Sequence, residues 1–460
     1  MTRLWCEQAW VQGQWAPHVL LEANDKGHWQ TITPHTPKPL DATPVLQCAV
    51  PGLVNAHSHA FQRAIAGLTE RQDPQRPGDD FWGWRERMYQ VALRIDAAQL
   101  ETIAEWLYRE MLQAGFTQVC EFHYLHRQPN GAPYPDSAEL GLALTRAADK
   151  AGIGLTLLPT LYMHRGLGQP GLSEAQRRFA TQPDEVLAWQ TRFQSLAQSQ
   201  GRAHLLNAGV ALHSLRAVDE AAIRTVRDGL GNAPLHIHVA EQTQEVESCL
   251  QHLGKRPVEW LLDHIGLDAR WNLVHATHTL PQELEGVARA NASVVLCPTT
   301  EANLGDGLFD LGHALAHGVN WSIGTDSHVN RHPAMELQML EYGQRLHHRQ
   351  RNLAARHAKQ ASTAAVLFDA ALRGGVAACG QAVGGLSVGQ RADVVELDPD
   401  QAPLLGLPRD HWLDAWVMGQ PCLNAKRVWV AGHEREVSMP AGLRQGWGEV
   451  MRGVFGEPRF

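Results

Sequence analysis

Histidine is the residue type from which chemistry is first expected in this chain, with 25 His set against 40 Lys plus Arg. His57-Ser58-His59 places two imidazoles at i and i+2, and on an extended segment such side chains share a face and can converge on one ion. His236-Ile237-His238 repeats the spacing, with Glu241 three residues beyond, and His213, His275 and Asp326 follow at separate points along the chain. Imidazole nitrogens with one carboxylate suit a zinc-like ion, and a catalytic site keeps a position open for water. The expected ligands are His57, His59, His238 and Asp326. A single HxH pair is weak evidence, and the weight lies in the recurrence. His236, deeper in its strand, is expected to orient His238 rather than to bind, and for Asp326 the capping of a helix is the competing reading.

Such groups need a scaffold that brings distant segments together. From about residue 50, short apolar β-branched runs alternate with helical patterns, the rhythm of repeated βα units. The expected strands are 50–55, 117–122, 153–161, 205–212, 235–239, 272–276, 293–297 and 321–324. Eight strands close a (β/α)8 TIM-like barrel of the α/β class, whose reacting groups sit at the C-terminal strand ends. His57 and His59 follow the first strand, His213 the fourth, His238 and Glu241 the fifth, His275 the sixth and Asp326 the eighth. Helices are expected at 98–114, 137–151 and 184–199, with Gly115, Gly152 and Gly201 just after them. Residues 70–83, carrying Pro74, Pro77 and Gly78, and residues 127–135 read as loops.

The chain ends read differently. Short β-like pieces at 4–9, 19–22, 414–417 and 427–430, with a turn followed by a strand at 385–398, suggest a small β domain built from both termini, 1–49 and 385–460, around a barrel at 50–384. With 460 residues, 44% hydrophobic and 19% charged, the composition is globular, and a net charge of -8 without any basic block argues against nucleic acid or an anionic membrane as partner. No apolar run is long enough for a membrane span and the N-terminus lacks an apolar core, so a cytoplasmic enzyme is expected. Seven scattered Cys with no CxxC spacing read as reduced packing residues.

The runs PGLVNAHSHAFQRAIAG (51–67), HIHVAE (236–241), LVHATH (273–278) and GTDS (324–327) resemble the amidohydrolase superfamily, and GLSVGQRADVVELD (385–398) resembles the segment after the barrel in its deaminase branch. More narrowly, HSHAFQRA, FWGWRERMY (81–89), HSLRAV (213–218) and CPTTEANLGDG (297–307) resemble the members that hydrolyse N-formimino-L-glutamate to N-formyl-L-glutamate and ammonia in histidine degradation. Many two-metal members bridge their ions with a carboxylated Lys on a middle strand. No Lys occurs between Lys150 and Lys255, so one divalent ion is expected, zinc before iron.

The expected mechanism has Asp326 on the ion and taking the proton of the attacking water, His275 holding the nucleophile, and Glu241 passing a proton to the departing nitrogen. The resemblance implies the same roles. A dicarboxylate substrate calls for arginine, and Arg216, after the fourth strand, and Arg85, in the loop after the first, are the candidates. The resemblance adds Gln62, Tyr124 and His213 to the pocket, and a homodimer. Plainer readings stand beside these: a solvated helix arginine for Arg85, packing for Tyr124, a helix surface for Gln62. The rival functions are an aminohydrolase of heteroaromatic amines such as guanine or an adenosine derivative, and a metal-free barrel used for assembly.

Overall fold

The computed structural model describes residues 2–71 and 80–456, so Pro74, Pro77 and Gly78 of the first expected loop lie outside the described residues. Four strands come first, β1 (Arg3–Val11), β2 (Gln14–Ala23), β3 (Trp29–Thr33) and β4 (Val45–Val50). The barrel follows with β5 (Leu53–Ser58), β6 (Phe116–His123), β7 (Gly154–Leu161), β8 (Leu206–Ala208), β9 (Val210–Ser214), β10 (Leu235–Val239), β11 (Trp271–His275), β12 (Ser293–Leu296) and β13 (Asn320–Ile323). Last are β14 (Val394–Leu397), β15 (Arg427–Val430) and β16 (His433–Arg435).

β5 to β13 form one parallel sheet in sequence order, with β8 and β9 as two pieces of the fourth barrel strand. Strands covered by helices on their outer face must be apolar throughout rather than alternating, and β5, β6, β7 and β10 to β12 are buried along their whole length. The ring closes through backbone bonds from Thr325 and Asp326 to the His57 carbonyl at 3.1 and 3.0 Å. Gly324 permits that approach: a Cβ there would lie 2.6 Å from the His57 Cβ and 2.7 Å from its nitrogen. Asn55 fastens the same seam, accepting from the Thr325 amide at 3.0 Å and donating to its hydroxyl at 2.7 Å.

The second sheet draws on both chain ends in the order β16-β15-β14-β4-β1-β2-β3, with β1 and β4 parallel and the other pairs antiparallel. This is the expected barrel with a small β domain. The helix Ala97–Ala114 begins at an Asp96–Gln99 capping box and ends at Gly115 with φ 103°, as its sequence signals predict.

Three expectations need correction. The first barrel strand spans Leu53–Ser58 rather than 50–55, because Val50 pairs with Val395 in the small sheet and Pro51-Gly52 separates the two strands. Residues 414–417 are helical, in the run Trp412–Asp414 and Ala415–Gly419, and the buried positions Trp412, Leu413, Trp416 and Val417 follow a helical period that a short apolar run does not reveal. The Cys are unpaired as expected, six of them buried, but Cys422 is exposed rather than a packing residue of the core. Among the described residues, no helix is long and apolar enough to cross a membrane.

Candidate active site

At the C-terminal ends of β5, β10 and β13, three imidazoles and one carboxylate meet. His57 Nε2 lies 3.0 Å from His238 Nε2, and Asp326 Oδ1 lies 3.3 Å from both His57 Nε2 and His59 Nε2. Backbone carbonyls fix two of the rings, since His59 Nδ1 donates to the Phe122 carbonyl and His238 Nδ1 to the His213 carbonyl, each at 2.8 Å. Their Nε2 atoms therefore present lone pairs inward. Burial holds His57 and His238 well below the usual imidazole pKa, and lowers His59 against the pull of Asp326. His57 Nδ1 has no partner, and the His57 and His238 Nε2 atoms stand 3.0 Å apart, close enough for one cation to accept both lone pairs. Ligands about 2.0–2.1 Å from one tetrahedral zinc stand about 3.4 Å apart, close to these separations, so the donor set fits a divalent ion. The helix-capping reading of Asp326 loses its basis, because the next helix starts at Pro333 behind His332.

His275 lies at the side of this cluster. Its Nε2 is 3.6 Å from Glu241 and 3.9 Å from Asp326, and its Nδ1 is 3.3 Å from Glu301. Burial disfavours its charged form, but Glu241, Glu301 and Asp326 together outweigh burial and raise its pKa to about 10. Burial also lifts Glu241 to about 7, with Asp326 and Glu245 adding to the rise, which suits a carboxyl that must give and take a proton. The backbone is strained where these groups turn inward: Ala240, His275, Ala276, Asp326 and His328 all have positive φ, between 47° and 67°. Such conformations cost about 1–3 kcal/mol each and collect at functional sites.

Of the eleven residues expected at the site, ten line one cavity of about 40 Å3, and His57 stands behind it. Gln62, expected on a helix surface in its plainer reading, is 2% exposed and donates to the Tyr124 hydroxyl at 2.8 Å. Arg85 sits on the helix Phe81–Ala92 rather than in a loop, and Phe81, Arg85, Met88 and Tyr89 line the cavity at helical spacing. Arg85 and Arg216 line a neighbouring cavity of about 370 Å3 as well. The Trp82 ring lies 4.2 Å from the Arg85 guanidinium and 5.5 Å from that of Arg216. The Nε atoms of both arginines are buried without a partner, and neither makes an ion pair among the described residues. His236 does not orient His238. Its Nε2 bonds the Ala378 carbonyl at 2.8 Å, on the helix packed outside the barrel.

Several contributors went unassigned in the sequence. Glu121 accepts from Ser58 Oγ at 2.7 Å and the Ala60 amide at 2.6 Å, bracketing His59, and its signal was a carboxylate inside an apolar strand. Glu245 accepts from the Ala240 and Glu241 amides at 3.1 and 3.2 Å and so fixes the turn that carries Glu241. Glu301 and Asp306 both lie in CPTTEANLGDG, a motif from which no residue is singled out by sequence, and Trp82 lies in FWGWRERMY, from which only Arg85 is.

The chain matches the amidohydrolase family over residues 48–435. It is 44% identical over 434 residues to formimidoylglutamate deiminase of Pseudomonas aeruginosa, covering 94% of each chain. It is 28% identical over 383 residues to 5-methylthioadenosine/S-adenosylhomocysteine deaminase of Halobacterium salinarum, covering 82% of this chain and 79% of the other. The crystal structure of an amidohydrolase from Brucella melitensis, 40% identical, superposes with a TM-score of 0.92 over 99% of this chain and 100% of that one. A barrel with His and Asp side chains gathered at its strand ends, matched over most of its length, leads to one conclusion: this chain belongs to the amidohydrolase family.

Proposed function

We propose that the protein hydrolyses N-formimino-L-glutamate to N-formyl-L-glutamate and ammonia, the reaction named by the 44% identical relative. The observation that carries this reading is the polarity of the pocket. One cavity brings together Glu241 and Asp326, suited to a cationic amidine, and two arginines that make no ion pair among the described residues, suited to two carboxylates. Heteroaromatic amines have no need of that arginine pair, although the Halobacterium relative keeps such substrates as the alternative.

His57, His59, His238 and Asp326 would hold one ion, zinc for preference, and no Lys lies on β7 to β10 to bridge a second. When bound, the ion supplies a Lewis acid that makes water nucleophilic near neutral pH. Asp326 takes the proton of the water that adds to the formimino carbon. His275, with a pKa raised to about 10, donates to the attacking oxygen and steadies the charge that builds there. Glu241 delivers a proton to the nitrogen as its bond to carbon breaks, ammonia leaves, and the carbon keeps the oxygen as a formyl group. Arg85 and Arg216 hold the carboxylates, with Gln62, Tyr124 and His213 shaping the wall between. A homodimer belongs to the same reading and rests on the family alone, and the cytoplasmic location expected from the sequence belongs to it as well.

The test is ammonia release by zinc-loaded protein from N-formimino-L-glutamate, with guanine and S-adenosylhomocysteine alongside. Turnover of the formimino substrate alone is expected. Release only from an aromatic amine would transfer the protein to the rival reading.

A further inference from the structure

We propose that Asp306 recognises the amidinium end of the substrate, accepting one N–H of the departing nitrogen while Glu241 accepts the other. The inference rests on the functional reading above and concerns how the site tells substrate from product.

The geometry comes first. A formimino nitrogen in its protonated form carries two N–H bonds about 120° apart, so two acceptors about 2.9 Å from it stand about 5 Å from each other. Glu241, Asp306 and His275 offer donor or acceptor atoms that all lie within 4.8 Å of one another. The two carboxyl groups thus lie no farther apart than 4.8 Å, within reach of a single NH2 group.

The second observation is an oxygen without a partner. Asp306 is 5% exposed, one of its oxygens accepts the side-chain amide of Gln242, and Oδ2 is buried with no partner. Buried acceptors are almost always paired, and one left open beside catalytic groups calls for a donor from outside the protein. An amidinium brings that donor together with the opposite charge. Burial and the nearby Glu241 push the Asp306 pKa up to about 9, and a cation between the two carboxyls favours the ionised form again.

Local structure holds this carboxyl in place. His278 Nε2 donates to the Asp306 carbonyl at 2.9 Å, and the Asp306 amide donates to the Glu301 carbonyl at 2.9 Å. Gly307 follows with φ 137°, and a Cβ there would come within 3.2 Å of the His278 ring and 3.3 Å of the Thr277 methyl. The segment CPTTEANLGDG therefore delivers two carboxylates to His275 and Glu241: Glu301 beneath the imidazole and Asp306 beside the leaving group.

A chemical consequence follows. Hydrolysis removes the NH2, and the formyl group of the product has no N–H to offer the two carboxyl groups. The residue that holds the substrate thereby disfavours the product, so Asp306 sets selectivity for formimino over formyl and promotes release.

Asp306→Asn tests this directly, because its oxygen can keep the Gln242 contact while its NH2 presents a donor where Oδ2 presented an acceptor. Ammonia release from N-formimino-L-glutamate and inhibition by N-formyl-L-glutamate are measured on zinc-loaded protein. The expected result is divergence: kcat/KM falls about 10–100-fold while the inhibition constant for the formyl compound tightens about tenfold. Asp306→Ala, which removes the acceptor and adds no donor, should lower kcat/KM without tightening inhibition, and it serves as the second variant if the Asn form does not fold. Constants that shift in parallel, or do not move, overturn the assignment. Wild-type protein that releases no ammonia from the formimino substrate instead overturns the functional reading and removes the basis of this one, so the two failures are distinct.

Discussion

At the residue scale, two side chains in one cavity should fail in opposite ways. Glu241 touches the departing nitrogen in the proposed reaction and does not ligate the ion, so Glu241→Gln removes a proton donor of nearly the same shape. Loss of general acid catalysis lowers kcat by about 10^2–10^4, and the metal content should stay that of the wild type. Full activity in that variant would take Glu241 out of the mechanism. Arg216 is half-buried, stands beside Trp82, and acts on the substrate's carboxylates in the proposed reaction. Arg216→Met loses a charge-assisted hydrogen bond of about 1.5–3 kcal/mol, about 10–150-fold in kcat/KM at 1.4 kcal/mol per tenfold. The loss should appear mainly in KM, and unchanged kinetics with N-formimino-L-glutamate would remove Arg216 from recognition.

At the scale of elements, the site depends on one seam. β13 closes on β5 where Gly324 passes His57, and the next two residues donate to the His57 carbonyl. Gly324→Ala drives a methyl group into that backbone, and crowding of this kind costs about 1–3 kcal/mol. Because the seam carries both His57 and Asp326, thermal stability and metal retention should fall together, read by melting with and without added zinc; unchanged metal affinity would show that the seam does not tune the site. The eight strands and the His and Asp residues at their ends were legible in the sequence because strand runs and ligand types are local signals. The supporting carboxylates were not. Glu301 reads as an ordinary residue of a first helical turn, and only folding shows its carboxylate accepting the Cys297 amide at 2.9 Å while standing against His275. Trp82 likewise gains meaning only when the fourth strand brings Arg216 within 5.5 Å of the ring that Arg85 already approaches. The boundary at Val50 was misread for a related reason: two consecutive strands belong to different sheets, and pairing partners hundreds of residues away decide which.

At the scale of the whole molecule, the joint between the sheets lies away from the chemistry. Arg391, just before β14, is 2% exposed and pairs with Asp393 at 2.6 Å. It also reaches Gln118 Oε1 at 2.7 Å, the His204 carbonyl at 3.0 Å and the Thr117 carbonyl at 3.0 Å. Thr117 and Gln118 open β6, whereas Phe122, which fixes His59, lies near its other end. In barrels of this type the N-terminal face serves stability and the C-terminal face serves catalysis. Arg391 therefore clamps the small sheet to the stability face, and its partner Asp393 also accepts the Ala431 amide at 2.9 Å. Removing one member of a buried pair strands the other, at a cost of about 3–5 kcal/mol. Arg391→Met should lower stability by that amount in denaturant melts while kcat/KM per folded, metal-loaded molecule stays within about twofold of wild type, because no contact of Arg391 reaches the cavity. Lost activity with unchanged stability would mean instead that the small sheet acts on the site through the barrel, and the division of labour between the two ends of β6 would have to be abandoned.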